Sequence, residues 1–183
     1  MFAKSLRPTR LKNGTLKFKG FPHFKPNLTP YEIFDQGAFG GTYFRTIKSG
    51  VSKKTHSTGW APFVEAKIIP DNRKLYTKQK CDAKMNKFGV TAGTSLKAWE
   101  SAGWIKSPDV FGWVEWYCWF YMGRRSPDDA RQIDRWMKFA SAKQGRFRIR
   151  LENMTRKKGT SFDDVTVSPR IRQSLHQWAF ELK

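Results

Sequence analysis

The stretch FGWVEWYCWFYMGRRSPDDARQIDRWMKF, residues 111–139, decides the fold. Its first half gathers Trp113, Trp116, Tyr117, Trp119, Phe120 and Tyr121 around a single charge, Glu115. Aromatic side chains bury large areas each, so this group belongs to the core. The run 110–122 is apolar all round, which suits a buried helix or a central strand. Its length and the Ser107-Pro108-Asp109 start argue for a helix, its aromatics for a strand. We read it as a helix. Gly123-Arg124-Arg125 then turns the chain at the edge of the core.

Ser126-Pro127-Asp128-Asp129 is the sharpest start signal in the chain. Ser126 serves as cap, Pro127 takes the first helical position, and Asp129 stands where a capping box takes an acid. Both aspartates complement the positive end of a helix dipole. Ile133, Trp136, Met137 and Ala140 recur at i, i+3, i+4 and i+7, so a helix over 127–140 has one buried face. Asp134 and Lys138 pair on its wet side.

Toward the C-terminus, Gly145-Arg146-Phe147-Arg148-Ile149-Arg150-Leu151 alternates strictly. As a strand it puts three arginines on one face; as a helix, Phe147, Leu151 and Met154 share a stripe. Arg156-Lys157-Lys158-Gly159 reads as a basic loop. Ser168-Pro169 repeats the helix-start device. Ile171, Leu175, Trp178, Ala179 and Leu182 mark a final helix over 169–182, with Arg170, Arg172 and His176 outside its apolar stripe.

Toward the N-terminus, Thr29-Pro30-Tyr31-Glu32 is a capping box opening a short helix through Ile33 and Phe34. Three glycines in residues 37–41 mark backbone with unusual dihedrals or a close approach. Such amides can cradle a phosphate, with Arg45 and Lys48 nearby. The spacing is neither a P-loop nor a dinucleotide fingerprint, and we take the plainer reading, a tight turn into a strand over 42–47. Residues 49–59 form a polar loop with Lys53, Lys54 and His56. Residues 60–69 have strand character interrupted by Pro62. A short helix over 95–102 is capped by Ser95 and turns Leu96 and Trp99 inward. Residues 1–25, with Lys4, Arg7, Arg10, Lys12, Lys17, Lys19 and Lys25, read as a basic arm that includes a short strand at 15–19. The fold class expected is α+β: a single compact domain over 26–183, with a small N-terminal sheet packed by C-terminal helices.

The 183 residues suit one domain, and 35 Lys/Arg against 15 Asp/Glu leave a net charge of +20. Such a balance bears on partners rather than fold, and a polyanion is the expected one, DNA before RNA. Residues 1–90 hold 18 basic and 5 acidic residues, so the surplus is densest there. Cys81 and Cys118 alone build neither a disulfide framework nor a zinc site. Without a signal peptide, an intracellular reducing compartment is expected: nucleus, cytoplasm or virion. No run approaches the 18 apolar residues of a membrane span.

His23, His56 and His176 stand isolated, with no CxxC, HxxxH or HxE, so neither a metal nor a cofactor is expected. No Ser or Cys sits in a nucleophile elbow. Glu115 is the sharpest acid–base candidate, because a carboxylate among aromatics has its charged form disfavoured. The bland alternative is an ion pair with Arg124 or Arg125, or a place on a wet edge. Nucleic-acid contacts are expected from Arg45, Lys48, Lys53, Lys54, Arg124, Arg125, Arg146, Arg148 and Arg150, interleaved with aromatics able to stack on bases. The first reading is therefore a nucleic-acid-binding protein. The others are an enzyme acting on nucleic acid through Glu115, with Arg124 or Arg125 on a phosphate, and a virion-structural protein that condenses genome.

The motif order GWVEWYCWFYMGRRSPDDARQIDRW, GRFR and VSPRIRQSLHQWAFEL, preceded by FPHFKPNLTP and GAFGGTYFR, resembles a family of small proteins from large DNA viruses and fungi that has no assigned activity. The likeness runs from about residue 20 onward. It implies an intracellular, DNA-virus-like setting and a single domain, and brings no catalytic residues with it.

Overall fold

The computed structural model describes residues 6–183, so Lys4 of the expected arm lies outside the described residues. The chain forms one α+β domain. In order, its elements are β1 (Thr9–Arg10), β2 (Leu16–Lys17), α1 (Pro30–Asp35), β3 (Ile47–Lys48), β4 (Thr55–His56), α2 (Ala61–Glu65), α3 (Leu96–Ser101), α4 (Trp113–Tyr121), α5 (Asp129–Ala140), α6 (Arg146–Lys158) and α7 (Pro169–Gln177). The sheet content is two separate antiparallel hairpins, β1 with β2 and β3 with β4. No single sheet forms among the described residues, and the helices pack around α4 instead.

The central stretch is the helix α4, and the strand alternative falls away. Every residue from Trp113 to Cys118 is buried, Glu115 included. A helix with no wet face must be covered on all sides. Its polar atoms are met by other segments. Trp116 Nε1 donates to Asp129 Oδ1 at 2.9 Å, Tyr117 Oη to Leu28 O at 2.8 Å and Trp113 Nε1 to Gln132 O at 3.3 Å. The helix begins only at Trp113, because Gly112 holds φ at 89°, which its missing Cβ permits.

Ser126-Pro127-Asp128-Asp129 does start a helix, two residues later than its pattern suggests. Asp129 reaches back, its carboxylate accepting from the Ser126 amide at 3.0 Å and from the Ser126 hydroxyl at 2.8 Å. That is one half of a capping box, with the serine hydroxyl donating to the acid instead of capping an amide. The box at Thr29 and Glu32 is complete.

Several expectations are corrected. The stretch 16–24 enters the core, whereas an arm over 1–25 was expected: Leu16, Phe18 and Phe24 are buried, and the Phe24 ring stands edge-on to Trp136 at 5.1 Å. Residues 60–69 form the short helix α2, because Pro62 fits a first helical turn and not a ladder. Residues 42–47 are mostly turn, with a strand only at β3. Ser168 sits at φ 47° with no side-chain cap, and α7 ends at Gln177. Arg172, expected outside the apolar stripe, is buried and donates to the Val167 and Phe162 carbonyls at 3.0 and 2.8 Å. His176 is also buried, with Nε2 3.0 Å from Ile33 O. Burial lowers its pKa to about 4.

The termini are joined. The amides of Asn27 and Leu28 donate to Ala179 O, and the Asn27 side chain exchanges two hydrogen bonds with the Glu181 backbone. With the 9–28 segment built into the core, Phe24→Ala is expected to cost about 3–5 kcal/mol, as for other buried aromatics. Urea unfolding measures it; a loss below about 0.5 kcal/mol, typical of surface positions, contradicts this placement.

Candidate functional site

The α6 segment is a helix, so its arginines do not share a face. Leu151 and Thr155 point into the core, with Phe147 half-buried beside them. Met154, expected in the inner stripe, is exposed. Arg148 is half-buried, donates to Glu152 Oε1 at 2.7 Å and lies over the Phe180 ring. Arg146, Arg150, Asn153 and Lys157 follow at i, i+4, i+7 and i+11, which sets them in one outward row. They line an open groove of about 550 Å³ with Ile149 and Met154 on its floor. Among the described residues, none of Arg146, Arg150 and Lys157 forms an ion pair. Lys157 had been read as part of a loop; the continued spacing from Arg146 was the signal that it belonged to this row.

The second basic cluster lies on the β3–β4 hairpin. Ile47 is buried and its neighbour Lys48 exposed, as strand alternation requires. The loop between the strands carries Lys53 and Lys54, both exposed. It is held from below: Glu100 Oε1 of α3 accepts from the Gly50 amide at 2.8 Å, and Ser49 Oγ accepts from the Val51 and Ser52 amides. Arg45 enters this region half-buried, with Nη1 donating to Thr42 O at 3.1 Å.

Arg45 also lines a cavity of about 380 Å³ with Phe39, Tyr43, Ile47, Trp99 and Phe111. The glycines of residues 37–41 flank Phe39, one of its lining residues. A Cβ on Gly40 would strike Cys81 Sγ and stand 2.8 Å from Asp82 N. Close approach of the 78–87 segment therefore explains these glycines. Their carbonyls accept from Lys78, Asp82 and Lys87, and the Gly40 amide donates to Asn86 Oδ1 at 2.7 Å. That amide is taken, so the turn is no phosphate cradle.

Arg124 and Arg125 are not placed for phosphate. Arg124 makes a bidentate pair with buried Asp109, Nη1 to Oδ1 at 2.7 Å and Nη2 to Oδ2 at 2.5 Å. Arg125 donates to the carbonyls of Phe120, Arg124 and Leu6 and lies 4.0 Å above the Phe120 ring. Both guanidiniums are engaged within the chain, unlike the cations of the α6 row.

Glu115 lies within the core and lines neither cavity, nor does it pair with Arg124 or Arg125. Its Oε2 accepts from the Phe111 amide at 2.8 Å, while its own amide donates to Tyr43 Oη at 3.0 Å and Tyr43 Oη donates to Phe111 O at 2.7 Å. A carboxylate at the third position of α4 meets the positive end of that helix. Burial nevertheless pushes its pKa up to about 8; the Phe111 bond opposes the rise and the Asp109 charge adds to it. Burial likewise raises Asp109, against the two bonds from Arg124. Cys118 is buried, and burial pushes its thiol up. Among the described residues no three His, Cys, Asp or Glu side chains gather as a metal-holding group, and no helix is long and apolar enough to cross a membrane.

No family model, curated protein or solved structure matches the chain.

The Glu115 shift carries a sign. Its carboxyl binds a proton in the folded state up to about pH 8, while the unfolded chain loses it near 4.5. Folding therefore takes up a proton in that window, and this group's contribution to stability declines as pH rises through it, then levels off. Glu115→Gln removes the decline. The variant is expected to gain on the parent between about pH 5 and 8 by on the order of a few kcal/mol. Denaturant unfolding at several pH values checks it; parallel stability curves would contradict the burial of an ionisable acid here.

Proposed function

We propose that the protein binds nucleic acid, DNA in preference to RNA, chiefly through phosphates. The observation that carries this reading is the outward row of α6. Arg146, Arg150 and Lys157 have no acidic partner and span about 16 Å at the rise of a helix. Cations that fold-stabilising pairs do not use are free to displace counterions from a polyanion. The net +20 points the same way, because packing has no use for such a surplus. Lys48, Lys53 and Lys54 add a second set of point charges on a separate element, suited to phosphates more than to bidentate base reading. The choice of DNA rests on the family resemblance. The genome-condensing role is the same chemistry without sequence preference. The enzymatic reading through Glu115 has less support, since that carboxylate is buried and lines neither of the two cavities described above.

The test is a salt titration of binding to labelled oligonucleotides. Log affinity is expected to fall linearly with log salt, by roughly 0.9 per phosphate neutralised on duplex. Replacing Arg146, Arg150 and Lys157 together with glutamine is expected to weaken binding across all sequences and to flatten the slope by roughly one per lost contact. These side chains are exposed, so the triple variant folds. Absent or salt-insensitive binding rejects the proposal.

A further inference from the structure

We infer that the cavity beside Arg45 takes a single unstacked base of a nucleic-acid strand, with the adjoining phosphate on Arg45. The inference rests on the nucleic-acid reading above and names a different place and a different mode. The rings of Phe39, Tyr43, Trp99 and Phe111 line the chamber, with Phe39 and Tyr43 at 4.5 Å between centroids and Phe39 edge-on to Trp99 at 6.5 Å. Its volume of about 380 Å³ lies in the range of small-molecule sites. Among the described residues no Asp or Glu lines it, and Arg45 is the one cation that does. Arg45 commits Nη1 to the Thr42 carbonyl and forms no ion pair, so its other nitrogens remain open to an anion. Flat apolar walls beside one cation match a base joined to a phosphate.

Two further observations favour a ligand here. Phe39 is held at φ 56°, followed by Gly40 at 56° and Gly41 at 77°. A bulky side chain in the left-handed region is strained, and such strain gathers at binding sites. The chain keeps a phenylalanine where a third glycine relieves the backbone. Furthermore, Ile47 lines the cavity and opens the hairpin that bears Lys48, Lys53 and Lys54. A strand with one base in the chamber runs its next phosphates onto those lysines. This joins four residues that the sequence marked separately.

The experiment compares two single-stranded 12-mers on the full chain at fixed salt. One is oligothymidylate; the other carries the same phosphates on abasic deoxyribose. Phosphate contact alone treats them equally. With a base in the cavity, the thymidylate strand is expected to bind about tenfold tighter, the order of one stacked base. Trp99→Leu is expected to erase that preference while leaving the abasic strand's affinity as it was. Arg45→Gln is expected to weaken both strands. Thermal melts confirm that each variant folds, and the wild-type comparison stands without them. Equal affinity of the wild type for the two strands overturns the inference and leaves the phosphate reading standing, as does a preference that survives Trp99→Leu. No binding of either strand overturns the inference, and the duplex titration above then decides the phosphate reading. Thymidine monophosphate that removes the preference supports the chamber as the base's place; tighter binding of the mononucleotide than of the 12-mer assigns it to a free nucleotide and overturns the strand reading.

Discussion

A nine-residue helix with no polar face has to be covered on every side, and that constraint organises this molecule. Phe18 and Phe24 close α4 from the N-terminal segment, with ring centroids 5.1 and 5.8 Å from Phe120. Trp136 of α5 meets Phe24, and Trp178 just past α7 packs on Trp113 at 4.8 Å. Each buried aromatic contributes on the order of 1.5–3 kcal/mol through burial alone. What makes the arrangement specific is the polar handles. The Trp113 and Trp116 donors find acceptors on α5 and the Tyr117 donor finds one at Leu28, and a different packing of α4 leaves them unpaired, at a cost of about 1–3 kcal/mol each.

The helices were legible because their signals are local. A capping box spans four residues, and an apolar stripe fits within three turns, so α1, α3 and α5 could be read without knowing what they pack on. The N-terminal segment was misjudged because its charge was weighed before its rhythm. Leu16 and Phe18 are buried while Lys17 and Lys19 are exposed, which is the period of two that the stretch 15–19 displayed. Charge on the outer face of a half-buried ribbon is normal, and it concealed the ribbon. Residues 60–69 were misread for the opposite reason. Apolar content suggested a strand, and the proline that forbade it was treated as an interruption, when it was the start of a helix.

The candidate site was half legible, and the expected contact residues that the fold engages most fully are all arginines. Arg124, Arg125, Arg148 and Arg172 are all engaged inside the protein, with carboxylates, carbonyls or rings. The planar guanidinium offers five donors and is weakly hydrated, so a fold recruits it readily. An ammonium is strongly hydrated and stays in water, as Lys48, Lys53, Lys54 and Lys157 do. Counting both residue types as one surplus overstates what is free for a partner. Which arginines are used depends on long-range neighbours: Asp109 lies 15 residues from Arg124, and nothing in either local sequence announces the pair. Arg146 and Arg150 are in no ion pair among the described residues.

Glu115 shows how a buried acid can serve a surface it never reaches. Its carboxylate fixes the Phe111 amide, Phe111 O receives the Tyr43 hydroxyl, and the Tyr43 oxygen accepts the Glu115 amide. Phe111 and Tyr43 are also two walls of the aromatic cavity. The three bonds form a closed ring behind those walls, and rings that cannot turn lose little entropy when something flat stacks against them. The cost is an ionisable group in the core, tolerable because the helix end and the Phe111 amide favour a negative charge there while protonation relieves the remainder. Seen this way, the acid that looked most like a catalyst in the sequence braces the backbone of residues that line the cavity.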